Sequence, residues 1–145
     1  MSSKLPHTGE FRFIDSENIE TSELIDLYES VGWTAYTSKL EIMAQLLPNS
    51  LFYRVARYNN NLVGLIRVVG DGVSIVYVQD LLVRPDYQGC GLGKALLNYI
   101  LEKYKEVRQV VLLTDDLEST RIFYETCGLQ NANDCNLSAY IRRSV

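Results

Sequence analysis

Val83-Arg-Pro-Asp-Tyr-Gln-Gly-Cys-Gly-Leu-Gly-Lys94 is the stretch whose reading decides the fold. It leads from an apolar run into an amphipathic one, so it reads as a strand-to-helix junction. Gly89, Gly91 and Gly93 let the backbone approach a ligand closely. The first N–H groups of the helix that follows have no internal partner and carry partial positive charge. Such a junction takes phosphate or pyrophosphate; the same glycines also serve a tight turn that needs them for geometry alone. Two phosphate motifs are excluded. G-x-G-x-x-G requires glycine where Lys94 stands, and the P-loop requires glycine and Ser or Thr where Gln88 and Ala95 stand. Cys90, at the start of the helix, carries no expected redox role.

Upstream, Val73 to Val83 reads as a long strand, apolar enough to be buried on both faces. Asp80 is its only charged residue. A buried lone carboxylate costs several kcal/mol unless paired, so Asp80 serves either chemistry or a hydrogen bond to nearby backbone. Asp71-Gly72 marks a hairpin turn. Strands are expected at 51–58 and from Leu62 to Val69, joined through Asn59, Asn60 and Asn61, which tolerate positive φ. Helices are expected at 22–32 and 39–47, the second opened by a Ser38–Glu41 capping box and stopped by Pro48. A short strand is expected at 10–15, behind a loose tail at 1–9 in which His7 is a solvated residue. Downstream, 91–105 reads as a helix with Lys94, Asn98, Glu102 and Lys105 outward. A buried strand at 108–114, a helix at 117–127 capped by Asp115 or Asp116, and a last strand within 134–142 complete the order. The fold class is α/β (mixed α+β), a single domain over 10–145 around one mixed sheet. Its strand–helix–strand unit makes a right-handed crossover between parallel strands.

The chain has 145 residues, 47% of them apolar and 22% charged, enough for one full core without staples. A net charge of −4 argues against nucleic acid as partner. No run approaches the roughly 20 apolar residues of a membrane span, and the first residues lack the apolar region of an export signal. Cys90, Cys127 and Cys135 are odd in number and lack C-x-x-C spacing, so neither a disulfide framework nor a metal site is expected. Reduced thiols point to the cytoplasm.

Gln88-Gly-Cys-Gly91-Leu-Gly93 resembles the Q/R-x-x-G-x-G/A acyl-CoA signature of the GNAT superfamily of N-acyltransferases. Tyr77-Val-Gln-Asp-Leu-Leu-Val83 looks like the central strand before that signature, and Phe123-Tyr-Glu-Thr-Cys-Gly-Leu129 like the late helix ending in an FYxxxGF-type motif. The resemblance covers residues 51–129. It implies antiparallel N-terminal strands and a splayed parallel pair flanked by helices, with acetyl-CoA as cosubstrate and no metal. The cofactor-binding residues it implies are Leu81, Leu82 and Val83 for pantetheine, Gln88, Gly89, Cys90, Gly91, Leu92, Gly93 and Lys94 for pyrophosphate, and Phe123.

The resemblance also implies Tyr124 as the acid near the CoA sulfur. Without it, Tyr124 reads as a packing residue. Polyamine acetyltransferases of the superfamily carry Glu-Asp where this chain has Gln79-Asp80, which leaves Asp80, water wired to it, or no dedicated base. Leu117 stands where many relatives have asparagine, which removes one cofactor contact. The connection Gly32-Trp-Thr-Ala-Tyr36 covers the acceptor side in relatives, so Trp33 and Tyr36 either wall an amine pocket or pack the helix pair. Arg67 and Asp71 either edge that pocket or are hairpin surface charge. Two functions follow as expectations: acetyl transfer to a small-molecule or peptide amine, or an acyl-CoA-binding or sensing module without turnover. Neither a membrane nor nucleic acid is expected as partner, and a homodimer is a candidate assembly.

Overall fold

The computed structural model describes residues 10–144; the expected tail at 1–9, with His7, lies outside the described residues. The chain divides into two compact units, one ending at Leu113 and one beginning at Thr114. The first unit runs β1 (Phe11–Asp15), α1 (Thr21–Ser30), α2 (Leu40–Leu46), β2 (Phe52–Tyr58), β3 (Asn61–Gly70), β4 (Ile75–Val83), α3 (Leu92–Lys103) and β5 (Gln109–Leu112). The sheet order is β1-β2-β3-β4-β5, antiparallel except for the parallel β4–β5 pair. The expected mixed sheet is therefore present, with the parallel pair on either side of α3.

Strand alternation sorts the core into two layers. Val55, Leu62, Leu65 and Leu82 pack with Leu24, Leu27 and Tyr28 of α1 and Met43 of α2. Their neighbours Ala56 and Val63 face the other way and pack with Leu92 at the start of α3. Gly64 lets that helix seat closely. A Cβ there would lie 3.3 Å from Leu82 O and Leu96 Cδ1 and 3.4 Å from Leu92 Cδ2.

The β3–β4 hairpin closes on one side chain. Asp71 Oδ1 accepts from the N–H groups of Val73, Ser74 and Ile75, at 2.9, 2.8 and 3.0 Å. The Ser74 hydroxyl donates to Oδ2 at 2.6 Å. These bonds, the Ser74 hydroxyl foremost, hold the Asp71 carboxyl well below the usual carboxylate range.

Several expectations need correction. No capping box forms: α2 starts after Lys39, whose N–H donates to Tyr36 O at 2.9 Å, so Ser38 is consumed in a turn ahead of the helix. β4 is not buried on both faces, because Val76, Val78, Asp80 and Leu82 are buried while Gln79 between them is exposed. β5 is half-buried along Val110–Leu112, as an edge strand is.

The second unit holds α4 (Glu118–Thr126) and a 3-10 turn at Ala132–Cys135. Asp115 Oδ1 accepts from Leu117 N at 3.1 Å, one residue ahead of the helix. The strand expected within 134–142 is absent from the described residues. Asn131 accepts from Asn133 N at 2.9 Å and Asn136 adopts φ 61°, so turn chemistry takes the start of that segment. Gly64→Val should lower stability by about 1–3 kcal/mol through overpacking against α3, read as a shifted denaturation midpoint with unchanged m-value.

Candidate active site

β4 is longer than its parallel partner. The ladder to β5 runs from Ile75↔Gln109 to Val78↔Leu112 and stops. On its other side β4 stays paired, from Arg67↔Asp80 to Gly64↔Val83. From Gln79 onward β4 therefore presents an open edge among the described strands of this unit. The β3 register steps from Val68↔Val78 to Arg67↔Asp80, which leaves Gln79 as an extra residue, a β-bulge. Such a bulge bends the strand where its parallel neighbour ends.

The loop after β4 is tied down at its start. Arg84 N donates to Val63 O at 2.9 Å, Nε to Leu62 O at 2.6 Å and Nη2 to Asp26 Oδ2 at 2.7 Å. A 3-10 turn covers Pro85–Tyr87. Gln88 folds back to donate from Nε2 to Val83 O at 2.9 Å, and the Cys90 thiol donates to Tyr87 O at 2.7 Å. Gly89 and Gly91 take φ of 83° and 85°, a region costly for residues with a Cβ. Gly91 is the N-cap of α3, and the first helical bond is Ala95 N to Gly91 O at 3.0 Å. The N–H groups of Leu92, Gly93 and Lys94 thus have no helical acceptor. A Cβ on Gly91 would meet nothing within 4 Å, so the space there is open.

On the α1 side of β4 sits a buried polar cluster. Asp80, 7% exposed, accepts at Oδ2 from the Tyr28 hydroxyl at 2.6 Å and from Arg67 Nε at 2.8 Å. Arg67, 6% exposed, also leans Nη1 toward Ser50 Oγ at 3.4 Å. No buried side-chain polar atom of the described residues lacks a partner, so Asp80 Oδ1, which no described group engages, keeps contact with solvent. Burial, and then the Asp80 charge, push the Tyr28 phenol well above its usual range. Burial works against the Arg67 charge, and Asp80 more than offsets it.

Trp33 joins the cluster through the end of α1. Gly32 takes φ 79° and donates to Glu29 O at 3.0 Å, while Trp33 N donates to Tyr28 O at 3.0 Å. This is a Schellman closure, which brings the residue after the glycine back over the last turn. The Trp33 ring meets Tyr28 edge-on at 6.4 Å. Trp33 and Tyr36 are 45% and 46% exposed.

In the second unit, α4 ends the same way. Gly128 has φ 93° and donates to Glu125 O at 3.0 Å, and Leu129 N donates to Tyr124 O at 3.1 Å. The glycine of Phe123-Tyr-Glu-Thr-Cys-Gly-Leu129 is thus a helix-closing residue. Phe123 and Tyr124 are half-buried, their rings 5.0 Å apart and near-perpendicular. Burial raises the Tyr124 phenol above its usual range, against the pull of a hydrogen bond with Thr114.

Residues 18–129 match the Acetyltransferase (GNAT) family. The chain belongs to this family. It is 33% identical over 125 residues to an uncharacterized N-acetyltransferase ycf52-like of Prochlorococcus marinus, across 81% of this chain and 67% of that one. Three such curated relatives are longer, and the chain spans 57–67% of their length. A GNAT family acetyltransferase of Streptococcus pneumoniae superposes with TM-score 0.83 at 35% identity, covering 93% of this chain and 98% of that one. An aminoglycoside N-acetyltransferase, AAC(6')-Iy, solved with CoA shares the fold at TM-score 0.72 and 13% identity, over 97% and 99% of the two chains.

In this GNAT acetyltransferase, Asp80, Arg67 and Trp33 come together through Tyr28, which the sequence did not single out as a site residue. The signals were an arginine and an aspartate inside apolar strands and a tyrosine on the inner face of the facing helix. Arg67 is not hairpin surface charge, since Asp80 buries it. Asp71 serves the turn. The side chains of Leu82 and Leu92 lie in the core, so only their backbones are free for a ligand. Among the described residues no helix is long and apolar enough to cross a membrane, and no group of three or more His, Cys, Asp or Glu is placed to hold a metal.

The raised Tyr28 phenol fixes the sign of one pH effect. A group whose folded pKa lies above its unfolded value stabilises fully below the unfolded value, here about pH 10. That contribution is lost as pH climbs beyond it. Stability should therefore fall above pH 10, and Tyr28→Phe should flatten that slope while lowering neutral-pH stability by about 1.5–3 kcal/mol for the lost bond to a charged group. Denaturation at neutral and alkaline pH checks both signs.

Proposed function

We propose that this chain transfers an acetyl group from acetyl-CoA to a primary amine by direct attack within a ternary complex. The observation that carries this is the pairing of an open β4 edge from Gln79 to Val83 with the unengaged N–H groups at the start of α3. An extended amide chain adds to an open strand edge, and a pyrophosphate takes N–H groups at a helix start. Those are the two halves of CoA, and the CoA complex of the aminoglycoside acetyltransferase of the same fold supports the match.

Each residue then has a part. Backbone groups of Leu81, Leu82 and Val83 align pantetheine, and an N–H among them polarises the thioester carbonyl. Gln88, Gly89, Cys90, Gly91, Leu92, Gly93 and Lys94 cradle the pyrophosphate, with Phe123 against the cofactor. The neutral amine attacks the acetyl carbon, the C–N bond forms and the C–S bond breaks. Tyr124 gives its proton to the departing thiolate and is reprotonated by the one the nitrogen sheds as the amide forms; the raised phenol holds its proton at neutral pH. Asp80, with Oδ2 fixed by Tyr28 and Arg67, offers Oδ1 to the acceptor ammonium or to water that takes its proton. Trp33 and Tyr36 line the amine, and Arg67 holds the carboxylate in place. The acceptor is a small-molecule or peptide amine.

Thiol release from acetyl-CoA over a broad amine panel tests the reading. Tyr124→Phe should lose about 10²–10⁴-fold in turnover with an unchanged melting curve. Acetyl-CoA binding without turnover on any amine would replace the enzyme by a binding or sensing module. Asp80→Asn keeps an acceptor for Tyr28 and Arg67. It should lose most activity at neutral pH and recover partly at alkaline pH, because an amine with pKa near 10 is about one part in a thousand neutral at pH 7. Superimposed pH–rate profiles would remove Asp80 from proton transfer.

A further inference from the structure

Asp80 and Trp33 are the two ends of one contact chain in the first unit. The Tyr28 hydroxyl donates to Asp80 Oδ2 at 2.6 Å, and the Trp33 ring meets the Tyr28 ring at 6.4 Å. Tyr28 is 2% exposed, so it joins the two without facing a ligand itself. What this chain of contacts turns outward is Asp80 Oδ1 at one end and the half-exposed indole at the other, with Tyr36 equally bare in the same connection.

The charge beside this pair has one sign. Ser16 to Ser38 contains Glu17, Glu20, Glu23, Asp26 and Glu29 and no lysine or arginine. Arg57 occupies Glu17 and Glu23, and Arg84 occupies Asp26, whereas Glu20 and Glu29 stand exposed. The cation inside the cluster, Arg67, is buried against Asp80, with Nη1 3.4 Å from Ser50 Oγ and 3.5 Å from Leu46 O. The stretch from α1 to Ser38 therefore holds no cation for an anionic group of the acceptor.

We infer that Trp33 selects the acceptor, a primary amine whose body is apolar or aromatic and carries no carboxylate or phosphate. The ammonium goes to Asp80 Oδ1, and the body lies on the indole, where ring contact adds to burial. A carboxylate on the carbon that bears the amine would be set beside Asp80, like charge against like. This selection rests on the acetyl-transfer reading for the fate of the amine, and on the cluster itself for which amine binds.

Trp33 is the one tryptophan of the chain, so tryptophan emission reports on this position without any need for turnover. With the full chain saturated in CoA, phenethylamine should change the emission saturably. Phenylalanine, the same amine with a carboxylate beside it, should need about 10²-fold more, as several kcal/mol of like-charge juxtaposition implies. Ethylamine, which lacks the ring, should bind about tenfold more weakly than phenethylamine. The kcat/KM values of acetyl transfer should follow the same order. Trp33→Arg puts a guanidinium where the indole stood, on a helix closure made of backbone bonds. Calorimetry on that variant should show the gap between phenethylamine and phenylalanine narrowed by about tenfold. Emission that responds in this order without thiol release on any amine would remove the transfer reading and leave the selection standing. An emission unmoved by phenethylamine, phenylalanine bound or acetylated as well as phenethylamine, or an unaltered gap in a folded Trp33→Arg would each overturn it.

Discussion

The ion pair between Arg67 and Asp80 fixes the register on which everything downstream depends. Both groups are buried, and Asp80 Oδ2 lies 2.8 Å from Arg67 Nε. Breaking such a pair by losing one partner costs about 3–5 kcal/mol, because it leaves an uncompensated buried charge. A one-residue slip of β4 against β3 would set Gln79 opposite Arg67 and strand the carboxylate. The bulge at Gln79 is how the hairpin closed by Asp71 and the ion pair are both satisfied. With the register fixed, Val83 falls beside Gly64, Arg84 N reaches Val63 O, and the glycine loop leaves from a set point toward α3.

The same constraint shapes the electrostatics. Arg57 is shared between Glu17 and a two-pronged contact to Glu23, and Arg84 spans from Leu62 O to Asp26. These arginines tie the first half of α1 and the segment before it to the sheet. The hydrogen bond from Arg57 holds Glu23 below the usual carboxylate range. Glu23 and Asp26 of α1 are thus already occupied by guanidinium groups. The solvent-facing Asp80 Oδ1 is the carboxylate oxygen that β4 leaves for other partners.

Much of this was legible in the sequence, and the failures have identifiable physics. Period-2 and apolar runs marked all five strands of the sheet, and Asp71-Gly72 and the asparagine turn marked the hairpins. The strand-to-helix glycines marked the junction at α3. What sequence could not carry was the bulge: without it, counting back from the turn pairs Arg67 with Gln79, so neither the ion pair nor the role of Tyr28 is visible. The capping box failed because α2 begins one residue later than expected, with Lys39 as its N-cap, which puts Glu41 in the second helical position rather than the third. The last strand failed because a pattern needs a partner as well as a period, and the asparagines at 131, 133 and 136 build a turn where it would begin.

The closure of α1 at Gly32 has a wider consequence. The bonds that end the helix run between backbone atoms of Tyr28, Glu29, Gly32 and Trp33, so none of them depends on what side chain residue 33 bears. Position 33 is therefore a socket: the fold fixes where a group stands and leaves its chemistry open. A lineage that keeps the glycine can trade the indole for a smaller or charged group in a single codon change and remain folded.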